Sequence, residues 1–307
     1  MSNLNYTIVG SGDEQNITVL VPGVDLTQTQ AHSSHPNFKA IVAAVLGDEP
    51  VSTDELVRLF DTGQAVAEKF AKLSDRVMVS GGKVYFDGDE IDNSLTQQIV
   101  RQLNEGTVGS DGDAAAWVGL VNFIENVQNN PQEHSREQLY DWLATRPFTI
   151  TDHGMIVGYK GVRRTDDGYQ SVSAGREPVT VTDEDGNVEV RTGHILQQLG
   201  DEVSMPRSMV QHDPSVGCHV GLHVGTYDYA KSWGEVLLEV HIDPRDVVSV
   251  PTDCAAQKMR TCRYTVIQEV AAPYSEPVIT GYAALSAEND NYEDDYEDDD
   301  YQDDFDW

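Results

Sequence analysis

The chain has 307 residues, 39% of them hydrophobic, with 52 Asp plus Glu against 20 Lys plus Arg and a formal net charge of −32. That apolar content is enough to bury a core and excludes a wholly disordered chain, while the charge excludes binding to a phosphate backbone by bulk attraction. No stretch approaches the roughly 18–20 consecutive apolar residues of a membrane span, and Met1–Gly10 carry neither the basic region nor the apolar run of a secretory signal.

Residues 1–106 read as a small α+β module. Thr7-Ile8-Val9 and Ile17–Val21 predict two short strands. After His35-Pro36, the spacing of Phe38, Ile41, Val42, Val45 and Leu46 predicts a helix with one buried face. Ser52 and Glu55 stand at capping-box spacing and open a second helix, which breaks near Gly63 and resumes through Ala65, Val66, Phe70 and Leu73. Val77–Val79, Gly81-Gly82 and Val84–Phe86 predict a hairpin, and a further helix runs from Ser94 to Leu103.

Residues 107–112 read as a linker and 113–147 as a helical segment. Trp117, Leu120, Val121, Ile124 and Val127 share a face until Asn129-Asn130-Pro131 stops the helix. Ser135 and Gln138 have the spacing to cap another, with Leu139, Trp142 and Leu143 inward, which suggests an α-hairpin.

From Phe148 the period becomes two, predicting a β-rich domain over 148–270. Its strands are Met155–Tyr159, Val179–Val181 and Val188–Val190 around an Asp185-Gly186 turn, Val236–Ile242, Val247–Val250 and Tyr264–Ile267. The predicted class is α+β, with helices first and a mainly antiparallel sheet later. Residues 283–307 are different in kind. Residues 288–307 alone hold 12 acids and no Lys or Arg, so 20 of the 32 negative charges belong to the body, and the self-repelling end is expected to be disordered.

Few constellations point to chemistry. In a strand, His219 and His223 of the Cys218–His223 run would share a face about 13 Å apart, too far for one metal ion. Cys254 and Cys262 lack metal-binding spacing, so no metal site is expected. Three cysteines leave one over in any pairing and fit reduced thiols. Asp183-Glu184-Asp185 and Asp87, Asp89, Glu90 flank glycines and read as solvated turns rather than acid–base pairs. In the tail, Tyr292, Tyr296, Tyr301, Phe305 and Trp307 alternate with acids. They form a candidate docking peptide for an apolar pocket ringed by Lys or Arg, or a mimic that competes with single-stranded nucleic acid.

The later half resembles a known family. Phe123–Asn126, Asn130-Pro131, Glu137–Leu143, Ile150–Gly154, Gly158–Arg163, Val203–Arg207, Val210, Gly217-Cys218, Gly221–Gly225, Tyr229, Ile242–Pro251, Gln257–Arg260 and Cys262–Val266 resemble, in this order, segments of the bacteriophage rIIB proteins. His35–Phe38 and Val84–Asp92 resemble their first half more loosely. The resemblance implies a phage early protein in the host cytoplasm, peripheral at the inner membrane, that protects an infection against premature lysis triggered by a resident prophage. It implies an rIIA-like phage partner that resembles an ATPase, no cofactor and no catalytic residue. The acidic tail is outside the family pattern, leaving it as a route to a host protein. Membrane contact is expected to be indirect, because the charge sign is wrong for anionic lipid.

A second resemblance is to ADP-ribosyltransferases, as an inactive fold. Tyr159-Lys160-Gly161 and Gly221–Gly225, followed by Ala230 and Trp233, are similar to their nucleotide-site strands, which makes Lys160 and His223 candidate cofactor-binding residues. Lys160 replaces the residue usual in such sites, and no glutamate stands in the strand around Cys262–Ile267.

Overall fold

The computed structural model describes residues 4–11, 15–21, 27–33, 35, 37–47, 50–80, 83–91, 114–145, 149–274 and 278–279. The Ser94–Leu103 helix, the Gly81-Gly82 turn, the 107–112 linker and the tail with its five aromatic residues lie outside them. The chain forms two compact units, one of residues 1–129, 143–154 and 276–281, the other including 130–142 and 155–275.

In the first unit β1 (Asn5–Val9), β2 (Asn16–Val21) and β3 (Thr27–His32) form an antiparallel meander. Alternation puts Ile17, Val19 and Val21 on one face, and α1 (Phe38–Leu46) and α2 (Thr53–Phe60) bury Phe38, Ile41, Val45 and Leu56 with them. Each such fully buried aliphatic side chain contributes about 1.5–3 kcal/mol. Leu46 falls off the predicted face and is exposed. Ser52 caps α2 by accepting from the Glu55 amide, as its spacing predicts. The break comes at Asp61, whose carboxylate accepts from the Gln64 amide and caps α3 (Thr62–Leu73).

Next come β4 (Val77–Ser80), β5 (Lys83–Phe86) and β6 (Asp89–Glu90), paired antiparallel in that order. Two of the three acids of this hairpin are paired, Asp87 with Arg76 at 2.8 Å and Glu90 with Lys83 at 2.7 Å. In α4 (Ala114–Gln128) all five residues of the predicted face are buried, and the Trp117 ring meets Phe70 edge-on at 5.8 Å. The short strands β7 (Ile150–Thr151) and β19 (Val278–Ile279) pair in parallel.

The second unit begins with Asn130 and carries most of α5 (Glu133–Thr145). Its strands are β8 (Ile156–Thr165), β9 (Gly168–Ser171), β10 (Gly175–Thr182), β11 (Val188–Gly193), β12 (Leu196–Gln197), β13 (Glu202–Ser204), β14 (Leu222–Gly225), β15 (Val236–Ile242), β16 (Val247–Ser249), β17 (Lys258–Thr261) and β18 (Arg263–Glu269). One antiparallel sheet runs in the order β11-β10-β13-β18-β15-β8-β14-β17-β16, with β9 on β8 and β12 on β9. Thus the α+β class with a large antiparallel sheet is correct. β15 is buried along most of its length, as its apolar run predicts, and forms the sheet's middle with β8 and β18. Asp183 accepts twice from Asn187 at 2.8 Å, so the acidic turn of the β10–β11 hairpin is local turn chemistry.

Ser135 and Gln138 do not cap a helix, since α5 begins at Glu133. Their side chains reach β16 and the residue after it instead: Ser135 Oγ donates to Val248 O at 2.7 Å and Gln138 Oε1 accepts from Val250 N at 2.9 Å. Asn130, 1% exposed, joins them by donating to Pro244 O and Val247 O. Arg207 also donates to Val247 O and to Asn130 Oδ1. A sheet edge left bare would recruit another strand, and here polar side chains occupy its free backbone groups.

Candidate functional site

β8, β14 and β17 are successive neighbours in the sheet, with Gly225 opposite both Tyr159 and Lys258 and His223 opposite Arg260. This pairing brings the two sequence-flagged residues together. Lys160 Nζ donates to the His223 carbonyl at 3.0 Å and lies 5.5 Å from the centre of the Tyr264 ring. Burial pushes its pKa down to about 8. The His223 imidazole turns back so that Nε2 lies 2.9 Å from the His219 carbonyl. Burial, then the charges of Lys160, Lys258 and Arg260, push its pKa down to about 3, so it is a neutral imidazole donating from Nε2.

The His219–His223 run is not one strand. Gly221 has φ +150°, a conformation that suits glycine, and β14 begins only at Leu222. Among the described residues no three His, Cys, Asp or Glu side chains gather into a metal site, and all three thiols are free.

Two buried cations in β17 escaped sequence reading as site residues. The fully buried Lys258 Nζ lies 2.8 Å from Asp253 Oδ2 and 3.7 Å from Cys218 Sγ. The fully buried Arg260 donates to Gln211 O, Asp213 O and Ser249 Oγ at 3.3, 3.2 and 3.0 Å, and also to the carbonyls of Val216 and Gly217. Its acceptors hold the 211–217 loop, while Lys258 holds Asp253 at the start of the next one. The only sequence signal was basic residues alternating with Met259 in a short run.

Beside Asp253 the backbone is strained. Cys254, Ala255 and Ala256 all have left-handed φ, at 50°, 47° and 56°. Such a conformation costs non-glycine residues roughly 1–2 kcal/mol each. This turn forms one wall of a cavity of about 540 Å³ lined by Tyr229, Ser232, Trp233, Cys254, Ala255 and Gln257. The other wall is α6 (Tyr227–Lys231) and the residues after it, where the Tyr229 and Trp233 rings are 5.8 Å apart. Thr226 caps α6, and burial pushes the Tyr229 hydroxyl, bonded to Cys254, far up. The depression is open to solvent, and the Tyr229 and Trp233 rings give it an apolar surface.

Two glycines set the position of α6. A Cβ on Gly161 would lie 2.5 Å from Ala230 O and 2.9 Å from Gly234 N, and one on Gly234 would lie 2.3 Å from Val162 N. On the same strand pair, Glu239 faces Tyr159. Burial opposes its charge, but donation from Tyr274, Gln268 and His241 at 2.6, 2.9 and 2.8 Å prevails and holds its pKa below the ordinary value.

The Lys160 shift has a measurable consequence. Between about 8 and the ordinary lysine value of 10.5 the unfolded chain holds this proton and the folded chain does not, so stability rises with pH there. Urea denaturation at pH 7 and pH 10 should show wild type gaining on Lys160→Met as the pH rises. An unchanged difference would place the ammonium in water.

The family model for bacteriophage T4 protein rIIB matches residues 8–292. Protein rIIB of Enterobacteria phage T4 is 26% identical over 270 residues, covering 87% of this chain and 75% of that protein. No solved structure matches. With the match extending through both units, the chain belongs to the bacteriophage rIIB family.

Proposed function

We propose that the protein acts by binding other proteins rather than by catalysis, and that it protects a phage infection against premature lysis triggered by a resident prophage. The observation that carries this reading is family membership across nearly the whole chain. The geometry of the basic cluster supports it. Lys160 and Arg260 are engaged by the chain's own carbonyls and Lys258 by Asp253, so these cations are structural ties. The partner in this reading is an rIIA-like phage protein. The site of action is the host cytoplasm, with membrane contact made through that partner; among the described residues no helix is long and apolar enough to cross a membrane. The acidic aromatic end around Tyr292–Trp307 provides a second route, to a host protein.

Complementation tests this. A phage lacking the protein should lyse a lysogenic host early and a non-lysogenic host on schedule, with normal timing restored by the full chain supplied in trans. Equal timing in both hosts would sink the reading. A chain ending at residue 287 reports whether the acidic end takes part.

The second reading, an ADP-ribosyltransferase-like fold, draws on one observation: Tyr159 and Gly225 of the two segments are paired neighbours in the sheet. Transfer of label from NAD, abolished by Lys160→Ala, would favour it over the non-enzymatic one.

A further inference from the structure

The chain treats the two ends of the second unit's sheet differently. At the β16 end the side chains of Asn130, Ser135 and Gln138 occupy the strand's backbone groups. At the other end β11 pairs with β10 alone among the described residues. Next to its turn, Asp183 N donates to Asn187 O at 3.0 Å, which sets the phase of the ladder. From there, Glu189 opposite Val181 and Arg191 opposite Val179 bond inward to β10. Val188, Val190 and Thr192 therefore direct their N–H and C=O groups outward, away from the sheet.

This edge carries no proline and no element covers it among the described residues. Edges are protected against pairing by proline, by charged side chains, which repel a like-charged partner, or by a bulge. Val188–Thr192 reads Val-Glu-Val-Arg-Thr, and the irregularity in the ladder falls opposite Thr192, with the extra residues on β10 between Gly175 and Val179 rather than on β11. Val188 and Val190 are 62% and 69% exposed. The two charges are opposite in sign, and Arg191 Nε is buried with no hydrogen-bond partner while NH2 bonds Glu189 of its own strand.

From this geometry we infer that β11 pairs antiparallel with β11 of a second copy, about a twofold axis through Val190. The hydrogen-bond phase limits the choice of axis. An axis through Glu189 or Arg191 would set like charges against each other. Through Val190, its outward amide and carbonyl exchange bonds with the partner's Val190. Val188 does the same with the partner's Thr192, which uses all the outward groups of the segment. Glu189 then faces the partner's Arg191, and Arg191 the partner's Glu189. Both pairs fall at non-hydrogen-bonded positions, where Cα atoms come within about 4.5 Å and side chains are closest. The four charges alternate in sign around the axis, and Val188 and Val190 gain apolar neighbours. A twofold interface requires such self-complementarity.

Sedimentation velocity of the full chain at physiological ionic strength tests the pairing. The mass should rise from one chain to two as concentration increases toward the millimolar range. Arg191→Glu should abolish the rise, and the charge-swapped double variant Glu189→Arg with Arg191→Glu should restore it, both with wild-type circular dichroism. The swap separates this register from any general stickiness and from misfolding of the single variant. A monomer at every concentration would overturn the inference, as would association indifferent to Arg191→Glu or a folded double variant that stays monomeric.

Discussion

Arg260→Ala should lower the free energy of unfolding by roughly 3–5 kcal/mol, seen as a marked fall in the urea midpoint. The guanidinium is fully buried and donates to four backbone carbonyls and to Ser249 Oγ. Alanine removes every donor and leaves the acceptors behind. A buried acceptor without a partner costs about 1–3 kcal/mol, and water entering from the loop side recovers part of that. Arg260→Lys should recover less than half of the loss, because an ammonium has three donors on a flexible stem where the guanidinium has five in a fixed fork. Hydrogen exchange should locate the damage: the amides of 211–217 exchange faster while β15 stays protected. An unchanged midpoint would mean that the loop holds itself.

Gly161→Ala should be comparably severe for a different reason. The added Cβ would meet backbone atoms, Ala230 O at 2.5 Å and Gly234 N at 2.9 Å, and backbone cannot change rotamer to make room. Overpacking of this kind costs about 1–3 kcal/mol and more where the neighbours are rigid. Relief requires α6 to lift from β8, which separates Tyr229 and Trp233 from the Cys254 wall. Gly175→Ala is the control, since its Cβ would have nothing within 4 Å. Calorimetry should therefore show a large drop in Tm for Gly161→Ala and almost none for Gly175→Ala; equal drops would refute the close crossing.

What could be read from the sequence was what depends on period. Ile17, Val19 and Val21 alternate, Trp117 through Val127 recur at helical spacing, and Val236–Ile242 is a nearly continuous apolar run interrupted by Glu239 and His241; the apolar residues are buried much as predicted. β3 was missed because Thr27–His32 is polar apart from Ala31, and its pairing comes from β2 rather than from its own composition. Ser135 and Gln138 had the right spacing for a cap but serve a strand more than 110 residues away, a relation no local window contains. The site was less legible still. Lys160 and His223 were flagged, yet the bond is from an ammonium to a backbone carbonyl, which residue type does not announce. Lys258 and Arg260 sit in a four-residue strand buried throughout, where composition argues for a surface. The left-handed turn at Cys254–Ala256 contains no glycine to mark it.

The covering of β16 by α5 bears on how far self-association can go. A sheet with two joinable edges has a valence of two and grows by addition until something stops it. In this one the β16 end is already taken, because Asn130, Ser135 and Gln138 stand where an incoming strand would bond. Joining at β11 therefore leaves the β16 ends of both copies closed to further strand addition.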